Sequence, residues 1–233
     1  MRALLGNKGA NLAEMVHVLG EDRVPGGFTI TTAACTAYRE GGEMPDGLES
    51  QIEQALKALE SESGRRLGDP VDPLLVSVRS GAPVSMPGML DSVLNLGLNE
   101  AAVEGLAERS GDPHMAWDSR RRLIQMFSEV VRGVDAMAFE DALVEARHEN
   151  GVEVDSDLDQ AALKALAGRY LEIFRQQTGE DFPEDPHTQL VQAVRAVFDS
   201  WDNDRAVTYR HLNGIGDELG TAVTVQRMVF GNM

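Results

Sequence analysis

Apolar residues recur with helical spacing near the start of the chain. Between Leu12 and Leu19 they follow i, i+3, i+4 and i+7, which places them on one helix face, and Gly20 is positioned to end the helix. The preceding residues 6–9, Gly-Asn-Lys-Gly, predict a loop whose glycines allow a close backbone approach. A second amphipathic helix is predicted to begin at Asp46.

Short β-branched and apolar segments between the helical patterns predict strands. Residues 28–31 and 93–96 are two of them, and residues 74–79 indicate a buried strand that ends at an arginine. Residues 80–88 contain two glycines, two prolines and two serines and are therefore predicted to be irregular. The last predicted strand, residues 221–230, either pairs with an earlier strand or belongs to the front part of a longer protein, and we favour the second alternative.

Helical periodicity dominates the middle of the chain, where four or five helices fit. The pattern therefore predicts an α+β protein in three parts. Residues 1–98 form an α/β part with the irregular loop, residues 99–213 form an inserted helical subdomain, and residues 214–233 return as a β segment to the first part.

The composition limits the classes of partner. The 233 residues include 21 Lys and Arg against 38 Asp and Glu, a net charge of −17, so the chain repels nucleic acid and anionic lipid, and any anionic ligand must be held by a few placed cations. Cys35 is the single cysteine, and no apolar run approaches a membrane span. We therefore expect a cytoplasmic protein that binds neither nucleic acid nor membrane.

Two cations and one loop are candidates for chemistry. Arg79 emerges from the predicted buried strand with a planar fork of donors that suits phosphate, although a structural ion pair would explain it equally well. Lys8, between glycines at a helix start, is either a phosphate contact or a solvated lysine. The loop after Arg79 is either a plain connection or a cover for phosphates.

Other searches give little. The histidines have no zinc spacing, and no carboxylate pair in a β context indicates a magnesium site, so no metal ligand is predicted among these residues. The basic run 120–122 is interpreted as a solvated helix edge that makes ion pairs, with a polyphosphate contact as the alternative.

Several segments together resemble the pyruvate, phosphate dikinase family. The block LLVSVRSGAPVSMPGMLDSVLNLGLN, residues 74–99, is the most specific of them, and its Ser-Met-Pro-Gly-Met run is similar to the phosphate-dependent branch. The other matching segments are residues 5–15, 25–32, 117–126, 200–203 and 220–233.

The resemblance implies an incomplete ATP-grasp nucleotide-binding domain at the front of a longer enzyme. That family uses ATP and phosphate to phosphorylate a histidine on a separate domain, releasing AMP and pyrophosphate, and then transfers the phosphoryl group to pyruvate. By position, the resemblance implies that Lys8 and Arg79 grip the ATP phosphates as catalytic residues. The implied phosphate cover includes Ser85, Gly88, Met89, Asp91 and Ser92, and the implied adenine-lining residues are Gln226, Met228 and Val229.

What the family needs beyond these residues is also implied. The Mg²⁺ ligands are expected on strands after Met233, so this chain alone is expected to be inactive. The expected partners are ATP, phosphate and the phosphohistidine and pyruvate-binding domains of the full-length enzyme, and a second copy in a homodimer is a further candidate. Pro83 stands where the family pattern has a basic residue, and Ser92 where it has threonine.

Two other functions remain open from the sequence. A binding module without catalysis would use the helical subdomain as an interaction surface, and the missing magnesium carboxylates favour it. Another ATP-dependent dikinase with a different acceptor would share the same ATP half.

Overall fold

The computed structural model describes residues 1–231 and contains both helices and sheets, which confirms the predicted mixed fold class. The strands are β1 (Gly27–Ile30), β2 (Arg66–Leu67), β3 (Pro73–Leu74), β4 (Val76–Gly81), β5 (Ser92–Leu96) and β6 (Ala222–Arg227). Four of them form an antiparallel sheet in the order β1, β6, β4, β5, while β2 and β3 form a small parallel pair.

The last strand of the sequence lies inside the sheet. β6 pairs with β1 on one side and with β4 on the other, so both of its partners come from earlier in the chain. Pairing with an earlier strand is therefore observed, and it leaves the favoured alternative, the front part of a longer protein, open. The predicted extent was wrong at the carboxyl end, because β6 stops at Arg227 and Met228 only donates its N–H to the Leu75 carbonyl at 2.8 Å.

The helices outnumber those predicted. Six of them lie between residues 100 and 213 of the described chain, against the four or five expected, and α9 is the least apolar, since its buried residues are only Ala206 and Arg210. None of the helices within residues 1–231 is long and apolar enough to cross a bilayer. The helices are α1 (Arg2–Leu19), α2 (Thr32–Gly41), α3 (Leu48–Ser63), α4 (Glu100–Ser110), α5 (Pro113–Arg132), α6 (Ala136–Asn150), α7 (Gln160–Thr178), α8 (Pro186–Asp199) and α9 (Asp204–Asn213).

The two faces of the four-stranded sheet differ in polarity. One face carries Val76 and Val78 of β4 and Val223 and Val225 of β6, which share one continuous hydrophobic core with helices such as α5, α7 and α8. The opposite face carries polar residues and lies beneath α1. Strand alternation therefore buries one face in the core and leaves the other available for a polar ligand.

Helix α1 ends at Leu19 with Gly20 as its cap, as predicted, but its start and the burial of its apolar face differ from the prediction. Residues 2–5 are helical, and the chain kinks at Gly6, whose φ is 66°, so the expected loop at residues 6–9 is a single glycine break. The apolar face after Leu12 is also not buried in the core: Leu12 and Val16 line an open cavity, and Met15 and Leu19 are exposed.

Candidate functional site

The polar face of the sheet places Arg79 opposite a row of hydroxyl and amide groups. Arg79 on β4 lies in register with Thr224 on β6, which lies in register with Thr29 on β1. The Arg79 Nη2 donates a hydrogen bond to Gln226 Oε1. Gln226 Nε2 in turn donates to the Pro25 carbonyl at 2.9 Å, so the amide holds the guanidinium in a fixed orientation.

The kink at Gly6 brings Lys8 to the end of the same strand. The Asn7 N–H donates to the Ala82 carbonyl at 2.9 Å, which attaches α1 to the chain just after β4. A Cβ at Gly6 would lie 1.5 Å from the Gly81 carbonyl oxygen, so only glycine allows this approach. The Lys8 Nζ then donates to the Ser80 carbonyl at 2.7 Å.

Lys8 and Arg79 form a concentrated positive charge in an acidic chain. The pKa of Lys8 is lowered from its usual value, first by lost hydration against the sheet and then by the positive charge of Arg79. Within residues 1–231 neither cation forms an ion pair with a carboxylate, whereas Arg120 and Arg210 do. This arrangement favours an anionic ligand, because an anion would relieve the repulsion between the two cations.

Two buried polar atoms on this face also have no partner within the described chain. They are Nε of Arg79 and Oγ1 of Thr224, whose residue is only 2% exposed. Thr224 and Gln226 line a cavity of about 420 Å³ between α1, β1 and the 24–27 turn. Unpaired buried donors and acceptors cost free energy, which indicates that a ligand or water satisfies them.

The loop that follows β4 forms the second wall of the site. Asn7, Lys8, Ser85 and Gly88 line a smaller cleft of about 160 Å³, together with Met86 and its neighbours. Ser85 and Gly88 are exposed, and a Cβ at Gly88 would meet nothing within 4 Å. The loop therefore presents small residues beside the Lys8 ammonium.

The structure brings most of the predicted site residues together, but several of them are already engaged in contacts within the protein. Asp91 is already ion-paired with Arg205, and the Met89 carbonyl accepts hydrogen bonds from Asn203 and Arg205. Ser92 lies beside Arg79 in the β4–β5 ladder. Only the exposed part of the loop is therefore available without breaking contacts.

Two of the predicted adenine-lining residues lie after the strand to which they were assigned. Met228 lines a separate small cavity with Arg65 and Leu106, and Val229 is 64% exposed. Gln226 remains on β6, in the large cavity, with its amide engaged by Arg79 and Pro25. The sequence pattern did not indicate that β6 ends between these residues.

The basic run 120–122 has mainly a structural role in the described chain. Arg120 is 2% exposed, donates to the Leu98 carbonyl at 2.7 Å and pairs with Glu184, while Arg121 and Arg122 pair with Asp118. The expectation of ion pairs was right, but the expectation of a solvated edge was wrong for the first two arginines, because they are buried.

Sequence reasoning missed Thr224, Asn203 and Arg205. Thr224 carries no motif, and Arg205 contacts Asp91 across 114 positions, a separation that no local pattern reveals. Asn203 belongs to the segment 200–203, which had been matched to the family without a role. In this structure its side chain caps α9 and contacts the loop.

The described residues do not supply a metal site. Within residues 1–231, no three or more His, Cys, Asp or Glu side chains are grouped so that they could hold an ion. The Mg²⁺ ligands that the resemblance implies are expected after Met233 and lie outside the described residues.

Comparison with known proteins identifies the family of the chain. Residues 40–233 match the family model described as pyruvate phosphate dikinase, AMP/ATP-binding domain. The whole chain is 51% identical to pyruvate, phosphate dikinase of Clostridium symbiosum and 51% identical to that of Rhizobium meliloti, covering 26% of each. It is 49% identical to the chloroplastic enzyme of Mesembryanthemum crystallinum, covering 24% of it. The chain thus spans about a quarter of the length of these relatives, and it belongs to the pyruvate phosphate dikinase AMP/ATP-binding domain family.

Proposed function

We propose that this chain supplies part of the ATP site of a pyruvate, phosphate dikinase. The reaction would convert ATP, pyruvate and phosphate into AMP, phosphoenolpyruvate and pyrophosphate, through a phosphohistidine on a separate domain. The observation that carries the proposal is the pair of Lys8 and Arg79, which have no carboxylate partner in residues 1–231 of a chain with a net charge of −17. Lys8 lines an open cleft, and Arg79 is hydrogen-bonded to Gln226 on the neighbouring strand. A polyphosphate supplies the charge that such a pair requires.

The two cations would have different roles. Arg79 is held rigidly by Gln226 and would stabilise the charge that develops on the transferring phosphoryl group. Lys8 is held by one backbone carbonyl and would position the nucleotide phosphates. The exposed part of the loop, with Ser85 and Gly88, would cover them with hydroxyl and amide donors.

The base would occupy the larger cavity beside the same strand. Thr224 Oγ1 is available there as a hydrogen-bonding group, and Gln226 forms the wall between the cavity and Arg79. We retain Met228 and Val229 as candidate adenine contacts, although they would have to act from the segment after β6.

The rest of the enzyme would complete the reaction. We propose that the Mg²⁺ ligands, the phosphorylated histidine and the pyruvate site lie in the three quarters of the relatives' length that this chain does not cover. We also propose a cytoplasmic enzyme, since the single cysteine, Cys35, cannot form an internal disulfide. A homodimer and a helical subdomain at residues 99–213 remain part of the proposal.

Calorimetric titration with ATP, with and without Mg²⁺, tests the site in this chain. We expect Arg79→Ala to weaken ATP binding at least about tenfold, because a hydrogen-bonded charge contact is worth roughly 1.5–3 kcal/mol. Arg195→Ala is the control, since Arg195 is exposed, pairs with Glu49 and lines neither the Lys8 cleft nor the cavity beside β6. Equal affinity in the two variants would contradict the assignment of Arg79.

A folded wild-type sample that binds no ATP would have a different meaning. Either segments of the longer protein are needed to complete the pocket, or the chain is an interaction module. Repeating the titration with a longer chain separates the two explanations. In a full-length enzyme, we expect Arg79→Ala to lower kcat by on the order of a hundredfold while the fold survives.

A further inference from the structure

The carboxyl half of the loop at residues 82–91, which we call the phosphate loop, is attached to the start of α9. The Met89 carbonyl accepts a hydrogen bond from Asn203 Nδ2 at 3.3 Å and another from Arg205 Nε at 3.1 Å. The other end of the same guanidinium, Nη2, pairs with the Asp91 carboxylate. Arg205 therefore bridges two positions of the loop with one planar guanidinium.

The support beneath this bridge is a small buried cluster. Met86 of the phosphate loop packs with Ala82, Trp201 and Ala206 in a hydrophobic group separate from the main core. Trp201 is fixed in place because its Nε1 donates to the Asp217 carbonyl at 3.1 Å and the Arg210 guanidinium lies 4.2 Å above its ring. The segment from residue 200 to 217 thus forms a platform for the loop.

The platform leaves the loop unevenly held. Met86 is 8% exposed and the carbonyl of Met89 is hydrogen-bonded, whereas Ser85 and Gly88 are exposed beside the Lys8 cleft. Arg205 itself is exposed, and within residues 1–231 its contacts with Met89 and Asp91 are its side-chain bonds. Those contacts are not part of the packing of the main core, because Arg205 lies outside it.

We propose that Arg205 is a positioning residue that holds the phosphate loop in place beside Lys8. Its effect on nucleotide affinity rests on the function proposed above, but its effect on the loop does not. Without the contacts of Arg205 with Met89 and Asp91, the carboxyl half of the loop would be free to move. Ordering the loop around a ligand would then cost conformational entropy at each binding event.

Amide hydrogen exchange of this 233-residue chain tests the loop directly. In Arg205→Ala, we expect exchange of the peptide that covers residues 82–91 to accelerate about tenfold, since local opening is governed by the few contacts that hold a segment. Arg195→Ala is a matched control: its side chain is 49% exposed against 53% for Arg205, and it also pairs with one carboxylate. Unchanged loop exchange in Arg205→Ala, with the platform still folded, would overturn the proposal.

Conservative replacement and ligand choice separate positioning from general stability. Arg205→Lys keeps the charge but cannot donate to Met89 and Asp91 through a planar fork, so we expect it to restore loop protection only in part. ATP affinity should fall about fivefold to tenfold in Arg205→Ala, while adenosine affinity stays unchanged, because the loop faces the phosphate cleft. Faster loop exchange with unchanged ATP affinity would overturn the link to the nucleotide. If the wild type binds no ATP, the affinity comparison is repeated with the longer chain, and in this chain the exchange comparison alone decides the role of Arg205.

Discussion

At the residue scale, the most informative feature is the lowered pKa of Lys8, which follows first from lost hydration and then from the positive charge of Arg79. The folded protein lowers the pKa of Lys8, so the protonated lysine destabilises the fold at neutral pH, and this penalty is relieved as the pH rises through the lowered pKa. Such a pair is poorly arranged for stability but well arranged for an anion. A bound polyphosphate would reverse the sign of the local potential and raise the pKa of Lys8 again.

A pH series of ATP titrations follows from this coupling. Between about pH 7 and pH 10, we expect ATP affinity to fall as Lys8 loses its proton at its lowered pKa. In Lys8→Arg the guanidinium stays charged throughout, so its affinity should depend less on pH. Parallel pH profiles in the two proteins would show that Lys8 does not contact the nucleotide phosphates.

The residues that the sequence identified have local signals, whereas those that it missed depend on partners that are remote in the sequence. Arg79 could be found because an arginine at the end of an apolar strand is conspicuous, and Lys8 because glycines surround it. The orphaned Thr224 hydroxyl could not be found, since it depends on β6 lying between β1 and β4. Arg205 was equally hidden, because its carboxylate partner is remote in the chain.

At the scale of elements, the kink in α1 determines where Lys8 stands. The local pattern predicted a loop because two glycines flank Asn7 and Lys8, but residues on both sides of Gly6 form helix. The helix continues directly after Gly6, and the hydrogen bond from the Asn7 N–H to the Ala82 carbonyl fixes the angle between the helical segments before and after the kink. The number of helices in the middle of the chain was underestimated because α9 has no apolar stripe and buries only Ala206 and Arg210.

Replacing Gly6 tests the importance of this kink. Gly6→Ala combines a left-handed φ of 66° with a Cβ that would lie 1.5 Å from the Gly81 oxygen, so we expect a loss of more than about 2 kcal/mol of stability. Gly20→Ala is the matched control, because Gly20 has a φ of 90° and a ψ of 154°, close to the 178° of Gly6, and nothing lies within 4 Å of its Cβ. We expect it to lose less stability, about 1–2 kcal/mol. Denaturant unfolding measures both. Equal losses would show that the close approach of α1 to β4 is relaxed without cost.

At the scale of the whole molecule, the sheet and the helices of the 99–213 segment share one core. Helix α8 contributes Val194, Val197 and Phe198 to the same cluster as Val78 of β4 and Val225 of β6. The change in composition near residue 99 predicted a separate helical subdomain, and composition alone cannot show whether such a segment packs independently. The shared core favours coupling between the nucleotide-binding face and the helical segment.

This continuity makes a prediction about unfolding. Trp117 lies on α5 in the main core and Trp201 lies beneath the phosphate loop, so the variants Trp117→Phe and Trp201→Phe each leave one fluorescent reporter. We expect the two reporters to give the same denaturation midpoint as helical circular dichroism, because the cluster around Trp201 is joined to β4 through Ala82 and β4 belongs to the continuous main core. Phe198→Ala should lower the free energy of unfolding by about 3–5 kcal/mol, since its ring is fully buried between sheet and helices. All the midpoints should therefore fall together. Separate midpoints, or a Phe198→Ala effect confined to one reporter, would instead show that the cluster beneath the phosphate loop unfolds independently of the main core.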